Sequence, residues 1–257
     1  MLRIVIAISI ISVLTVPRSF AEAFSENSKW GEIKAASYSA TLYKNGQYKI
    51  DVEGLMKFNA SFIQRWEFFQ SFPEIKLLKA SLLTNKKDVS ISVFFDYFWN
   101  DGQVKEQLDF SPYSITASYS YTPCQKKNVS MFTCLFKATA PVNAEGLKLT
   151  GMQRHDELSG ALDQIGKWRN ITAGMKMISI GGAGDYVVNL IAVDRAWLNI
   201  WAWPLIGISN NGNYPKWDNV IYKNGEEYKV KYVISIVEKI EKLAKHPSVT
   251  FTDTNKE

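Results

Sequence analysis

The chain has 257 residues, of which 46% are hydrophobic, 21% charged and 13% aromatic. This composition excludes a disordered polar tail and a collagen-like repeat, and the length allows one large domain or two small ones. Lysine and arginine number 30 against 25 acidic residues, a formal net charge of +5. Because the basic residues are scattered and form no long block, the sequence predicts no nucleic-acid partner.

Residues 1–21 have the pattern of a secretory signal peptide. Arg3 precedes an apolar run that ends at a proline, and small residues for cleavage follow at either Ser19/Ala21 or Ala21/Ala23. The run is shorter than the roughly 20 residues with which a helix crosses a bilayer. We therefore expect cleavage and a secreted or periplasmic location. No repeat or linker divides residues 22–257, which we interpret as a single domain with a short N-terminal extension and a C-terminal tail.

The two cysteines of the chain are predicted to pair after export. Cys124 and Cys134 flank a polar, turn-like segment, and an oxidising compartment favours a disulfide between them. Three N-x-S/T sequons, at Asn59, Asn128 and Asn170, become glycosylation sites only in a host that uses this signal.

In chain order, alternating apolar and polar residues predict a strand over Tyr48 to Val52. Helical spacing over Phe62 to Phe72 then predicts an amphipathic helix that ends at Pro73. Helical spacing returns over Leu158 to Trp168. Two-residue alternation predicts further strands around Val89 to Trp99, Ile115 to Tyr121, Phe132 to Ala138, Met177 to Ile180, Tyr186 to Val193 and Trp197 to Trp203.

The last predicted element is a long C-terminal helix. Asn224 and Glu227 fit a capping box at its start, and Pro247 ends it. Its apolar stripe, at helical spacing, contains Val230, Val233, Ile234, Val237 and Ile240.

This order of elements predicts an α+β domain in which a curved antiparallel sheet wraps the C-terminal helix. It resembles the START-like, or polyketide cyclase/Bet v 1-like, helix-grip family. The resemblance is carried by the segment Gly46 to Val52, by the Phe62 to Phe72 helix with Pro73-Glu74-Ile75, and by the terminal helix from Glu226 to Lys245.

The resemblance implies a hydrophobic cavity between sheet and helix that binds a lipid or another apolar small molecule, without a cofactor. Binding is then favoured over catalysis. The residues that would line the cavity are Phe95, Tyr97, Trp99, Tyr119 and Tyr121 on the sheet and Val233, Val237 and Ile240 on the helix. The alternative for each of them is an ordinary close-packed core.

The alternative function is a secreted carbohydrate-active enzyme or carbohydrate-binding module that uses tryptophans and an acidic pair. A purely structural or host-interaction protein is a third interpretation. With two histidines in the chain, no metal site is predicted. The tryptophans are Trp197, Trp201 and Trp203, which could also make peripheral membrane contact, and the acidic pairs are Asp51/Glu53 and Asp96/Asp101.

Overall fold

The computed structural model describes residues 29–44, 47–52, 56–63, 76–85, 90–99, 102–124, 127–129, 133–139, 148–152, 157–161, 176–181, 185–194, 196–202, 205–209, 220–238 and 249–254. Within these ranges all of the regular secondary structure is β-strand. The described part contains no helix that is long and apolar enough to cross a membrane. The predicted signal peptide lies outside the described residues, and its cleavage stays a prediction.

One sheet has eight antiparallel strands. They are β1 (Lys29–Lys34), β2 (Ser39–Tyr43), β3 (Tyr48–Val52), β4 (Met56–Ile63), β10 (Thr133–Thr139), β15 (Trp197–Ala202), β16 (Leu205–Ser209) and β19 (Thr250–Asp253). Their order across the sheet is β15-β16-β10-β4-β3-β2-β1-β19.

A second antiparallel sheet has nine strands. They are β5 (Lys76–Asn85), β6 (Ser90–Trp99), β7 (Gly102–Ser111), β8 (Ser114–Pro123), β11 (Lys148–Met152), β12 (Glu157–Ala161), β13 (Met177–Gly181), β14 (Tyr186–Val193) and β18 (Tyr228–Glu238). Their order is β12-β11-β13-β14-β18-β8-β7-β6-β5. The short strands β9 (Lys127–Val129) and β17 (Val220–Tyr222) form a separate pair.

The two large sheets pack face to face around one hydrophobic core. Ile33 and Ile50 of the eight-stranded sheet belong to the same buried cluster as Leu108 of the nine-stranded sheet. Across the interface, the rings of Trp30 and Phe95 meet edge to face with their centroids 5.4 Å apart. Strand β8 of the nine-stranded sheet and strand β3 of the eight-stranded sheet both alternate between buried and half-buried residues. One face of each sheet is therefore internal and the other is external.

The predicted helix-grip fold is wrong, because its C-terminal helix is the central strand β18. Val230 is buried, Lys231 is exposed and Tyr232 is buried again, an alternation of two. Strand β18 hydrogen-bonds to β14 on one side and to β8 on the other. A START-like domain needs a helix at this position, so the resemblance does not hold.

The other two predicted helices are wrong wherever they fall in the described residues. Met56–Ile63 and Glu157–Ala161 are the strands β4 and β12. The rest of both predicted helices lies outside the described residues. The strands predicted from alternation, in contrast, are confirmed in β3, β6, β8, β10, β13, β14 and β15.

Candidate functional site

The aromatic residues predicted to line a lipid cavity lie on the inner face of the nine-stranded sheet. Phe95 and Tyr97 of β6 and Tyr119 and Tyr121 of β8 are all buried, the most exposed of them at 3%. The structure therefore brings these four together in the core between the sheets. Trp99 ends β6, and its side chain lies outside the described part.

A carboxyl group lies in the middle of this aromatic cluster. Glu106 of β7 is paired with Phe95 on one side and with Tyr119 on the other. Its side chain is 2% exposed, and neither carboxylate oxygen has a hydrogen-bond partner among the described residues. Burial raises the pKa of Glu106 well above its ordinary value, and the nearby hydroxyls of Tyr119 and Tyr97 lower it by less.

Tyrosine hydroxyls extend this polar cluster across the core. The Tyr119 and Tyr232 hydroxyls are 3.3 Å apart, and the two rings stack with their centroids at 6.0 Å. The Tyr232 hydroxyl also hydrogen-bonds to that of Tyr48 in the opposite sheet. A carboxyl group whose pKa is raised by burial is common at functional sites. Because all of these groups are buried, however, we assign the cluster to the core.

The predicted helix side of the cavity does not face these aromatic residues. Val233 is half-buried and Val237 is 50% exposed, both on the outer face of β18, while Ile240 lies outside the described residues. The predicted lipid or hydrophobic small-molecule partner is therefore wrong, since the wall that would close its cavity belongs to the other side of the sheet.

The predicted disulfide stays a prediction. Cys124 follows β8 and is an exposed free cysteine in the structure. Cys134 belongs to β10 in the opposite sheet, and its side chain lies outside the described part.

The tryptophans proposed for sugar or membrane contact are also only partly placed. Trp197 and Trp201 belong to β15, with side chains outside the described part, and Trp203 lies outside the described residues. Strand β15 is at one end of the eight-stranded sheet. Sugar or membrane contact through these residues stays a prediction.

The outer face of the nine-stranded sheet carries a concave site, which we call the outer cleft. It has a volume of about 580 Å³ and extends across β5, β6, β7, β8 and β18. The lining residues that are not buried are all polar or charged except Phe94, whose ring is half-buried. The buried residues Phe95, Glu106, Tyr119 and Val230 also contribute to the lining. Such a lining is suited to a polar ligand that also presents an apolar face.

Strand pairing arranges the lining residues in two rows that cross the sheet. The first row contains Lys79, Asp96, Lys105, Ser120 and Lys229, each directly opposite the next on the neighbouring strand. The second row, two residues along each strand, contains Ser81, Phe94, Gln107, Ser118 and Lys231. Neighbours within a row are about 5 Å apart, and the rows are about 7 Å apart.

Two carboxylates of the outer cleft already have protein partners. Asp96 Oδ1 accepts a hydrogen bond of 2.9 Å from Gln103 Nε2, and Glu227 Oε2 forms a 2.8 Å ion pair with Lys229 Nζ. The hydrogen bond from Lys229 is the main reason that the pKa of Glu227 is lowered; Ser120 and the charge of Lys105 add to it. Both acids are therefore held as hydrogen-bond acceptors.

The acidic pairs considered from the sequence meet only in part at this site. Asp96 lies in the outer cleft, whereas Asp51 lies on β3 of the opposite sheet, and Glu53 and Asp101 are outside the described residues. The described residues contain no group of three metal-ligating side chains. The cleft as a whole was missed from the sequence, because its residues come from separate strands whose register no local pattern gives.

No protein-family model matches the sequence, and no curated protein matches it either. Solved structures are similar in fold. A β-arabinopyranosidase aligns at 12% identity and a TM-score of 0.50, over 80% of this chain and 40% of its own. A galactose mutarotase related enzyme from Lactobacillus acidophilus aligns at 8% identity and 0.48, over 84% of this chain and 100% of its own.

A glycoside hydrolase family 97 enzyme from Pseudoalteromonas sp. strain K8, in complex with acarbose, aligns at 9% identity and a TM-score of 0.48. It is matched over 80% of this chain and 34% of its own. Among these three, the β-arabinopyranosidase reaches 0.50, and that similarity shows a shared β-sandwich fold.

Proposed function

We propose that this protein binds carbohydrate in the outer cleft of its nine-stranded sheet, as an exported sugar-binding domain. The observation that carries the proposal is Phe94, a half-buried ring that lies in one row with Ser81, Gln107 and Ser118. Sugars present an apolar C–H face and a rim of hydroxyls, so they need an aromatic surface together with donors and acceptors. The shared fold with a β-arabinopyranosidase supports a sugar ligand.

The spacing of the cleft acids favours binding over hydrolysis. Asp96 on β6 and Glu227, which immediately precedes β18, are separated by three strand spacings, about 14 Å. The carboxyl pairs of glycosidases lie roughly 5–9.5 Å apart. Asp194 lies beyond β18 and so further still from Asp96. The backbone positions of Asp96 and Glu227 therefore do not have the spacing of a glycosidase pair.

The test is a glycan array of neutral and charged oligosaccharides, followed by calorimetric titration of the glycans that bind. Phe94→Ala should weaken binding about tenfold or more, because it removes the stacking surface. Phe98→Ala is the matched control, since Phe98 lies on the same face of β6, is 40% exposed and is not part of the cleft. An array without a bound glycan, or equal loss in both variants, would contradict the proposal.

A further inference from the structure

Three of the four lysines that line the outer cleft have no ion-pair partner among the described residues. Lys79, Lys105 and Lys231 line it from β5, β7 and β18, and all three are exposed. None of them forms an ion pair within the described part of the chain. Lys229, the fourth lysine of the cleft, is already paired with Glu227.

The acids of the cleft do not neutralise these lysines through direct contacts. Asp96 lies between Lys79 and Lys105 in its row, but its hydrogen bond is to the Gln103 amide. Glu227 is paired with Lys229, and Asp194, which also lines the cleft, interacts electrostatically with Lys176. Lys105 lies close enough to Glu227 to help lower its pKa, but none of the three ammonium groups forms an ion pair within the described residues. A ligand that supplies negative charge therefore gains binding energy.

From this arrangement we infer that the ligand of the outer cleft is an acidic oligosaccharide, whose carboxylate or sulfate groups are bound by Lys79, Lys105 and Lys231. This inference rests on the proposed sugar-binding function and deepens it.

The distances between the lysines indicate an oligosaccharide. Lys79 and Lys105 are two strand spacings apart, roughly 10 Å, and Lys105 and Lys231 are about 12 Å apart across and along the sheet. A ligand with negative groups on more than one sugar unit can therefore reach several lysines at once. Phe94 lies in the second row, next to the row that contains Lys105. Its ring would stack on a sugar unit whose neighbours contact the lysines.

The use of lysine predicts which anions are accepted. An ammonium group is a compact point charge without the planar fork with which arginine selects carboxylates. No arginine lines the described part of the cleft. Carboxylate and sulfate groups should therefore both bind, with spacing along the glycan as the main determinant of affinity.

The experiment compares glycans that share a backbone and differ in charge. Calorimetric titrations would use oligogalacturonate against its methyl ester, and dextran sulfate against dextran. We expect each charged glycan to bind at least about tenfold more tightly than its neutral partner, and we expect this preference to fall as salt is raised from 50 to 300 mM. Lys105→Gln should remove most of the preference, while the exposed Lys34→Gln on β1 should leave it unchanged.

The outcomes separate this inference from the proposed function. If neutral glycans bind as tightly as charged ones, the inference is wrong and sugar binding stands. If no glycan binds, both are wrong. Duplex DNA and phosphatidylglycerol vesicles serve as other polyanions; if either binds as tightly as the charged glycans and is released by Lys105→Gln, the cleft is a general polyanion surface and the inference is overturned.

Discussion

The hydroxyl groups of Tyr48 and Tyr232 hydrogen-bond to each other in the core and so connect the two sheets directly. Tyr48 lies on β3 and Tyr232 on β18, 184 positions apart in the chain. Tyr232 is also within 3.3 Å of the Tyr119 hydroxyl, so one hydroxyl links both sheets of the sandwich. A buried polar contact of this kind fixes how the sheets are positioned, because a shifted arrangement would separate the two oxygens.

The coupling between these tyrosines can be measured with a double-mutant cycle. Tyr48→Phe and Tyr232→Phe should each lower the free energy of unfolding by about 1–2 kcal/mol. The double variant should lose less than the sum, with a coupling of roughly 1 kcal/mol in urea denaturation. Tyr38→Phe is the additivity control, because its hydroxyl donates to the Ser111 carbonyl instead, at 2.8 Å. Additive losses for the Tyr48/Tyr232 pair would contradict the coupling.

Neighbouring residues of β18 should respond in opposite ways to a charge. Ile236 is 1% exposed and faces the core, whereas the next residue, Val237, is 50% exposed on the outer face. Ile236→Lys should therefore prevent folding or lower stability by several kcal/mol, while Val237→Lys should change it by less than about 0.5 kcal/mol. Thermal unfolding by circular dichroism measures both. A severe loss of stability in Val237→Lys would contradict this strand and would favour the predicted C-terminal helix, in which Val237 is internal.

This strand explains why the sequence analysis misjudged the fold class. Strand β18 is central, and its outer face also carries apolar residues, so Val230, Val233, Ile234 and Val237 happen to follow helical spacing as well as lying on a strand. The richness in Val and Ile, which favours strands, was the better signal. Strands with one polar face, such as β6 and β8, were predicted correctly because their alternation has a single interpretation.

The site was harder to predict than the strands. The sequence analysis considered Asp96 only as an outward-facing strand residue and in an acidic pair with Asp101. Its proximity to Lys79 and Lys105 was missed because that depends on the pairing of β5, β6 and β7. Glu106 was missed for a different reason: an acid among Val104 and Leu108 interrupts the apolar alternation that would have revealed β7. Strand register and the burial of a carboxyl group are properties of the assembled sheet, which no local sequence pattern gives.

Two glycines should lose stability for different reasons when a methyl group is added, with the larger loss at Gly102. A Cβ at Gly102 would clash with the buried ring of Tyr121, whereas at Gly225 it would meet no atom within 4 Å. Gly102→Ala should cost about 1–3 kcal/mol by overpacking. Gly225 has a φ of 76°, so Gly225→Ala should cost about 1 kcal/mol of backbone strain, and Gly225→Asn should cost less. Urea denaturation tests the ranking, which a larger loss in Gly225→Ala would reverse.

The buried Glu106 should make the protein less stable as the pH rises. Its pKa is raised in the folded state, so the folded protein holds this proton more tightly than the unfolded chain, where the ordinary value is 4.5. Below that value the carboxyl is protonated in both states and carries no penalty. Above it the unfolded chain releases the proton while the folded core retains it, so the free energy of unfolding falls with pH until the folded pKa is passed.

Glu106→Gln removes this dependence, because the amide has a similar shape and never ionises. We expect the variant and the parent to be nearly equal in stability near pH 4, and the variant to be more stable by about 1–3 kcal/mol at pH 8, on the scale of burying an unpartnered polar group. Urea denaturation at a series of pH values measures this difference. Glu227→Gln is the control of opposite sign: the pKa of Glu227 is lowered, so its small contribution, limited by exposure, is present above pH 4.5 and lost as the pH falls. The stability of the parent and that of Glu106→Gln could instead depend on pH in the same way. The Glu106 carboxyl would then be hydrated or paired, which would contradict its burial without a hydrogen-bond partner.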